Sequence, residues 1–159
     1  MIGSQPQPDF QAMAELRYQI RRFLRFSENA ARQAGLEPQQ QQLMLAVKGL
    51  PEGMKPTIRV LAERMQLQHH SVVGLIDRLV ERGLMIRLRA ADDGRQVLIK
   101  LTHSGEQWLS RLAWNHLHEL HSFGPTFFAV LQNLLENQSG SKQTRIKSRA
   151  RPRSKPNQR

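Results

Sequence analysis

The chain has 159 residues, 24 Lys and Arg against 13 Asp and Glu, a net charge of +11 and no cysteine. That length suits one domain with some tail and is enough to bury a core without staples. The missing cysteine excludes disulfides, thiolate zinc sites and thiol redox sensing; no apolar run approaches the ~18 residues of a membrane span; and MIGSQPQPDFQ lacks the profile of a signal peptide, so a cytoplasmic protein with no membrane partner is expected.

Residues 9–33 read as a long helix, with Met13, Leu16, Ile20, Phe23, Leu24 and Ala31 recurring at helical spacing. Phe10, Tyr18 and Phe26 fall partly off that stripe. A helix apolar on more than one face is buried on more than one side, at a subunit interface or inside a monomer. Gly35 is its expected stop. Residues 38–49 form a second helix with Pro38 in its first turn, and the QQQQ run within it reads as a polar helical face. LPEGMKP, residues 50–56, is a loop by its Pro and Gly content.

The densest signal is TIRVLAERMQLQHHSVVGLIDRLVERGLM. Thr57 can cap a helix that runs to about residue 65. Gln66, Leu67 and Gln68 make a short turn. A second helix runs from about residue 69 to 82, with Gly83 as its C-terminal stop. Its inward stripe is Val72, Val73, Ile76, Leu79 and Val80, and its other face shows His69, His70, Ser71, Gly74, Asp77, Arg78 and Glu81. Two short helices joined by a three-residue turn are a helix-turn-helix pattern.

A hairpin follows. Asp93-Gly94 signals a two-residue turn, which sets Asp92 opposite Arg95, Ala90 opposite Val97, Leu88 opposite Ile99 and Ile86 opposite Leu101. This register gathers the apolar pairs on one face and leaves Arg87, Arg89 and Lys100 on the other. Thr102 caps a further helix, about residues 104–121, carrying Trp108, Leu109, Leu112 and Leu120. Phe123-Gly124-Pro125 breaks it, and a last helix, about 126–136, packs its apolar residues against the first helix. Residues 139–159 hold eight basic residues and no acid, so residues 1–138 hold 16 basic against 13 acidic. With two prolines and no periodicity, this segment reads as a disordered tail.

Helix-turn-helix plus basic hairpin suits duplex DNA. The second helix can enter the major groove, where base edges carry a distinct donor and acceptor code. Gln68, His69, His70 and Ser71 can reach base edges or phosphates, and Arg78 is better placed for backbone. Gly74 permits close approach of DNA backbone or tight packing against a neighbouring helix. Arg89 and Arg95 extend the wing toward a minor groove or phosphate run. Asp93, or its neighbour, can hold the Arg95 guanidinium in a fork-like pair; equally, Asp and Gly are ordinary turn residues.

From Leu36 to Glu106 the chain resembles the MarR family of prokaryotic transcriptional regulators. The motifs are LEPQQQQLMLAVKG, LAERMQLQHHSVVGLIDRLVERGLMIR and RAADDGRQVLIKLTHSGE, with Asp93-Gly94-Arg95 matching the family's Asp-x-Arg wing signature. Weaker similarity extends over most of residues 10–137. The resemblance implies that Asp93 braces the wing and Arg95 enters the minor groove. It also implies a homodimer built from the N- and C-terminal helices, bound to a pseudo-palindromic operator. The basic tail departs from the family pattern. Small-molecule release is implied by the family alone; Tyr18, Arg21, Arg22 and Arg25 could hold a small anionic aromatic effector or simply form a solvated face.

Other chemistry is poorly supported. His116, His118 and His121 do not converge on one helical face, and zinc normally needs three or four protein ligands, so they read as solvated. Ser71 beside two histidines is no catalytic triad, and no Gly-rich phosphate loop is present. The expectation is therefore a mostly α fold: a winged helix-turn-helix domain, with a three-helix core and a two-stranded wing, flanked by N- and C-terminal dimerisation helices over residues 1–138. It needs no metal or cofactor and is no enzyme. Its function is sequence-specific regulation of transcription, as a repressor. A non-specific nucleic-acid-binding protein driven by residues 139–159, or a winged helix used for protein interaction, are the competing readings.

Overall fold

The computed structural model describes residues 8–90 and 96–147, with side chains described through residue 136. Five helices and two strands occur among the described residues: α1 (Phe10–Gln33), α2 (Pro38–Lys48), α3 (Ile58–Met65), α4 (His69–Glu81), β1 (Met85–Arg89), β2 (Val97–Leu101) and α5 (His103–Lys147). Two compact units divide them: Leu24–Leu120, and the segments Met1–Phe23 with His121–Arg159.

Local chemistry explains most boundaries in the first unit. The α1 stop is Gly35 at φ 77°, where Leu36 N–H reaches back to the Ala31 carbonyl. Gly83, at φ 67°, ends α4 in the same way, with Leu84 N–H donating to the Leu79 carbonyl. Both are left-handed caps that glycine adopts without a Cβ penalty. Thr57 Oγ1 accepts from Val60 N–H at 3.4 Å, and Thr102 Oγ1 accepts from Gly105 N–H at 3.0 Å; both thus cap the helices that follow. The core joins α2, α3, α4 and the wing root through Leu43, Met44, Leu61, Ile76, Leu79 and Ile99. Leu75, assigned to neither face from sequence, is buried with Val72, Ile76 and Leu79.

The wing is a two-stranded antiparallel sheet whose register differs by one residue from the one expected. Met85 faces Leu101, Arg87 faces Ile99, Leu88 faces Leu98 and Arg89 faces Val97. Ala90 N–H bonds the Gln96 carbonyl, which does not fit the expected two-residue turn; the five residues between them, 91–95, lie outside the described residues. Ile86, Leu88 and Val97, expected inward, are exposed. The reason lies at the root: Leu84 and Met85 are buried directly after the Gly83 cap, and that sets the phase of the strand. On its other edge β2 meets Thr57 across from Leu98, and Ile99 N–H donates to the Pro56 carbonyl at 2.9 Å.

The glutamine run, expected as a polar helical face, is split: Gln39 and Gln42 are exposed, while two residues turn inward. Gln40 and Gln41 are buried; Gln40 Oε1 accepts from Glu37 N–H at 3.1 Å and from Arg82 at the end of α4 at 3.4 Å.

In the second unit the expected break at Phe123-Gly124-Pro125 does not occur, and α5 continues with Pro125 inside it. An interior proline removes one hydrogen bond and crowds the preceding turn. Aromatic packing holds both sides of it: Phe123 stacks on Phe23 at 5.5 Å and meets Phe127 at 5.3 Å. The helix also runs through residues 139–147, assigned from composition to the tail. Lys, Gln and Arg are good helix formers, and the next proline is Pro152. Residues 148–159 lie outside the described residues.

Candidate nucleic-acid interface

The turn between α3 and α4 aims one end of α4 outward. Gln66 takes a left-handed backbone, φ 52°, and its N–H closes α3 on Ala62 and Glu63 carbonyls. Leu67, half-buried, anchors the turn on the core. Gln68 then caps α4 in extended conformation. Gln68, His69 and His70 are exposed and Ser71 is half-buried. The helix start therefore presents short to medium polar side chains beside backbone N–H groups that lack helical partners, an arrangement suited to phosphate and base-edge contact.

Gly74 and Arg78 occupy the next turns of α4. A Cβ on Gly74 would meet Arg78 Nη1 at 3.7 Å and no other atom closer, so no neighbouring helix packs there. The Arg78 guanidinium folds back over the glycine, toward the polar start of α4. Arg89 is exposed on the wing, opposite Val97. Asp93 and Arg95 lie outside the described residues.

Sequence reasoning missed Arg87. It was assigned to the solvated face of the hairpin, yet it shares the face of buried Met85 and Ile99. Its Nη2 donates to Asp77 Oδ1 of α4 at 2.5 Å. Ten residues separate the partners, so no helical or strand period announces the pair.

The histidines do not gather. Among the described residues no group of three or more His, Asp or Glu is arranged to hold a metal ion. His116, expected to be solvated, is half-buried and ties α1 to α5. Its Nδ1 donates to the Leu112 carbonyl at 2.6 Å, so its Nε2 accepts from the Ser27 hydroxyl at 2.8 Å. Phe26 meets its ring edge-on at 5.8 Å.

Tyr18, Arg21, Arg22 and Arg25 are exposed along α1, at helical spacing that gives them one face. A cleft of about 390 Å³ lies elsewhere, lined by Ala30 and Gln33 of α1 and by Trp108, Arg111, Leu112 and Asn115 of α5. There the Arg111 guanidinium sits 5.2 Å from the Trp108 ring centroid. At the start of α5, Glu106 pairs with Lys48 of α2 at 2.5 Å. The hydrogen bond and charge of Lys48 hold its carboxyl below the usual carboxylate range.

Residues 34–96 match the model of the MarR family. The match spans α2, α3, α4 and β1, and solved structures of MarR-family regulators share the fold. A MarR family transcription regulator superposes with a TM-score of 0.65 at 17% identity, over 89% of this chain and 91% of that one. CouR from Rhodococcus jostii, bound to p-coumaroyl-CoA, gives 0.60 at 24% identity, over 96% and 100%. A mutant MepR from S. aureus, bound to an oligodeoxyribonucleotide, gives 0.56 at 18% identity, over 90% and 100%. No curated protein matches the chain significantly. No helix among the described residues is long and apolar enough to cross a membrane.

Proposed function

We propose that this MarR-type protein is a transcriptional repressor that binds specific duplex DNA as a homodimer on a pseudo-palindromic operator. The observation that carries the reading is the exposed polar start of α4, Gln68 to Ser71, held beside a basic wing on a rigid core. Gly74 leaves room for DNA backbone, Arg78 and Arg89 meet phosphate, and Asp93 braces Arg95 toward a minor groove. Exposed Phe10, Met13, Tyr18 and Ile20 of α1, with Phe128 and Leu135 of α5, supply the apolar surface a dimer would cover. Tyr18, Arg21, Arg22 and Arg25 hold a small anionic aromatic effector that releases the operator. Such a protein works in the cytoplasm and carries out no catalysis.

The test is selection of duplexes from a random pool at physiological salt, with the full chain and with residues 1–138. Enrichment of a two-fold symmetric motif by both supports the reading. The eight tail cations favour one competitor, sequence-independent polyanion binding. That competitor predicts binding that disappears with the tail and no enriched motif.

A further inference from the structure

We infer that Asp77 and Arg87 are the positioning pair that aims the wing relative to α4, and that Arg87 is thereby withheld from phosphate. The inference rests on the DNA-binding reading above for its consequence, though not for its geometry.

The wing is held at its root by burial of Met85 and Ile99 and by the contacts of Ile99 and Leu98 with Pro56 and Thr57. Two residues beyond Met85 on the same face stands Arg87, opposite Ile99. Its bond to Asp77 ties the wing to α4. Beyond it Arg89 and Val97 are exposed. An isolated two-stranded ribbon is marginal in water, so its direction follows its ties to the rest of the domain. One of these comes from the element that also carries Gln68, His69, His70 and Ser71.

Charge gives a second reason for the pair. Asp77 directly precedes Arg78 on α4, and its carboxylate is half exposed. An unpaired carboxylate there would repel the phosphates that Arg78 and the helix start attract. Arg87 neutralises it, and in doing so commits its own guanidinium. The wing thus divides its arginines: Arg87 aims, while Arg89 and Arg95 are left to contact DNA.

Three variants of the full chain test this: Asp77→Asn, Arg87→Gln, and the exchange of Asp77→Arg with Arg87→Asp. Both partners are substantially exposed, so the unfolding temperature should change little. Amide order parameters of residues 86–88 and 98–100 should fall from about 0.85 toward 0.6 in either single variant and recover in the exchange. Unchanged values would overturn the geometric claim whether or not the protein binds DNA. On duplexes, Asp77→Asn releases Arg87. The slope of log K against log salt should steepen by about 0.9, one added phosphate contact. Preference for the selected duplex over a scrambled one should drop at least about fivefold, the lower end of one base contact. Arg87→Gln should leave the slope where it was; a slope flatter by one contact would mean that Arg87 already touches phosphate, and the inference fails. A wild-type chain without sequence preference would instead remove the repressor reading and leave the order parameters to decide the pair.

Discussion

Replacing Gly105 by alanine places a methyl carbon 2.1 Å from the Leu84 carbonyl oxygen. That oxygen belongs to backbone, and it lies at the joint where α4, the wing and α5 meet. Thr102 N–H donates to the same carbonyl at 3.1 Å, and Thr102 Oγ1 donates to the Gly83 carbonyl at 2.7 Å. Relieving the clash to the 3.0 Å that real contacts rarely breach parts the two segments by about 1 Å. Both Thr102 bonds are then stretched past useful length. Two bonds at about 1 kcal/mol each, and a further 1–3 kcal/mol for a buried carbonyl left unpaired, are opposed by the roughly 1 kcal/mol that alanine gains over glycine in a helix. The net expectation is a loss of about 2–4 kcal/mol.

Urea unfolding at fixed protein concentration measures this. With a slope of about 2 kcal/mol per molar, the midpoint should fall by about 1–2 M. Gly74→Ala is the control that makes the reasoning testable, because it is the same chemical change on another helix. Nothing but the end of Arg78 lies within 4 Å of the added methyl, so this variant should be up to about 1 kcal/mol more stable than wild type. If Gly105→Ala unfolds at or above the wild-type midpoint, the joint is not packed as described and the argument fails.

Other consequences follow from the same geometry. Although it should stabilise the free protein, Gly74→Ala should weaken duplex binding, measured by fluorescence anisotropy, because in the proposed complex the methyl would stand where DNA backbone approaches. Removing residues 139–159 should flatten the salt slope by up to about 0.9 for each tail cation that meets a phosphate, while the ratio of selected to scrambled affinity stays constant. Lys48→Met should destabilise the protein slightly at neutral pH. The Glu106 carboxyl is held low by Lys48, so the pair's contribution is present above the ordinary carboxylate value and lost as pH falls through the lowered one. The gap between variant and wild type, followed by thermal unfolding, should therefore close in acid; a gap that persists there would assign the effect to packing instead.

What was legible in the sequence was short-range. Thr57, Thr102, Gly35 and Gly83 act within one helical turn, so their residue types alone placed helix ends within a residue or two. The three-residue turn and the polar start of α4 were readable for the same reason. Partners far apart in the chain leave no such trace. The Arg82 contact with Gln40 spans 42 residues and the Ser27 contact with His116 spans 89; each turned a residue expected to be merely polar or solvated into a part-buried tie. Pro125 is the converse case. The local rule says break, and aromatic packing on both sides of it prevails.

The hairpin shows why apolar counting can mislead. The expected register puts six apolar side chains on one face, whereas the observed one leaves Ile86, Leu88 and Val97 exposed. Counting burial strand by strand would favour the former. The strand, however, does not choose its phase freely. Gly83 closes α4, Leu84 N–H is spent on the Leu79 carbonyl, and Leu84 and Met85 enter the core at once. From that point the alternation of a strand dictates that Arg87, not Leu88, returns to the face of Met85. The phase is thus imposed at the root by a helix cap. Arg87 thereby comes within reach of Asp77 on α4, at 2.5 Å. The pairing of α4 with the wing is therefore a consequence of where α4 ends. Moving that end by one residue would turn Arg87 away from Asp77 and put Leu88 in its place.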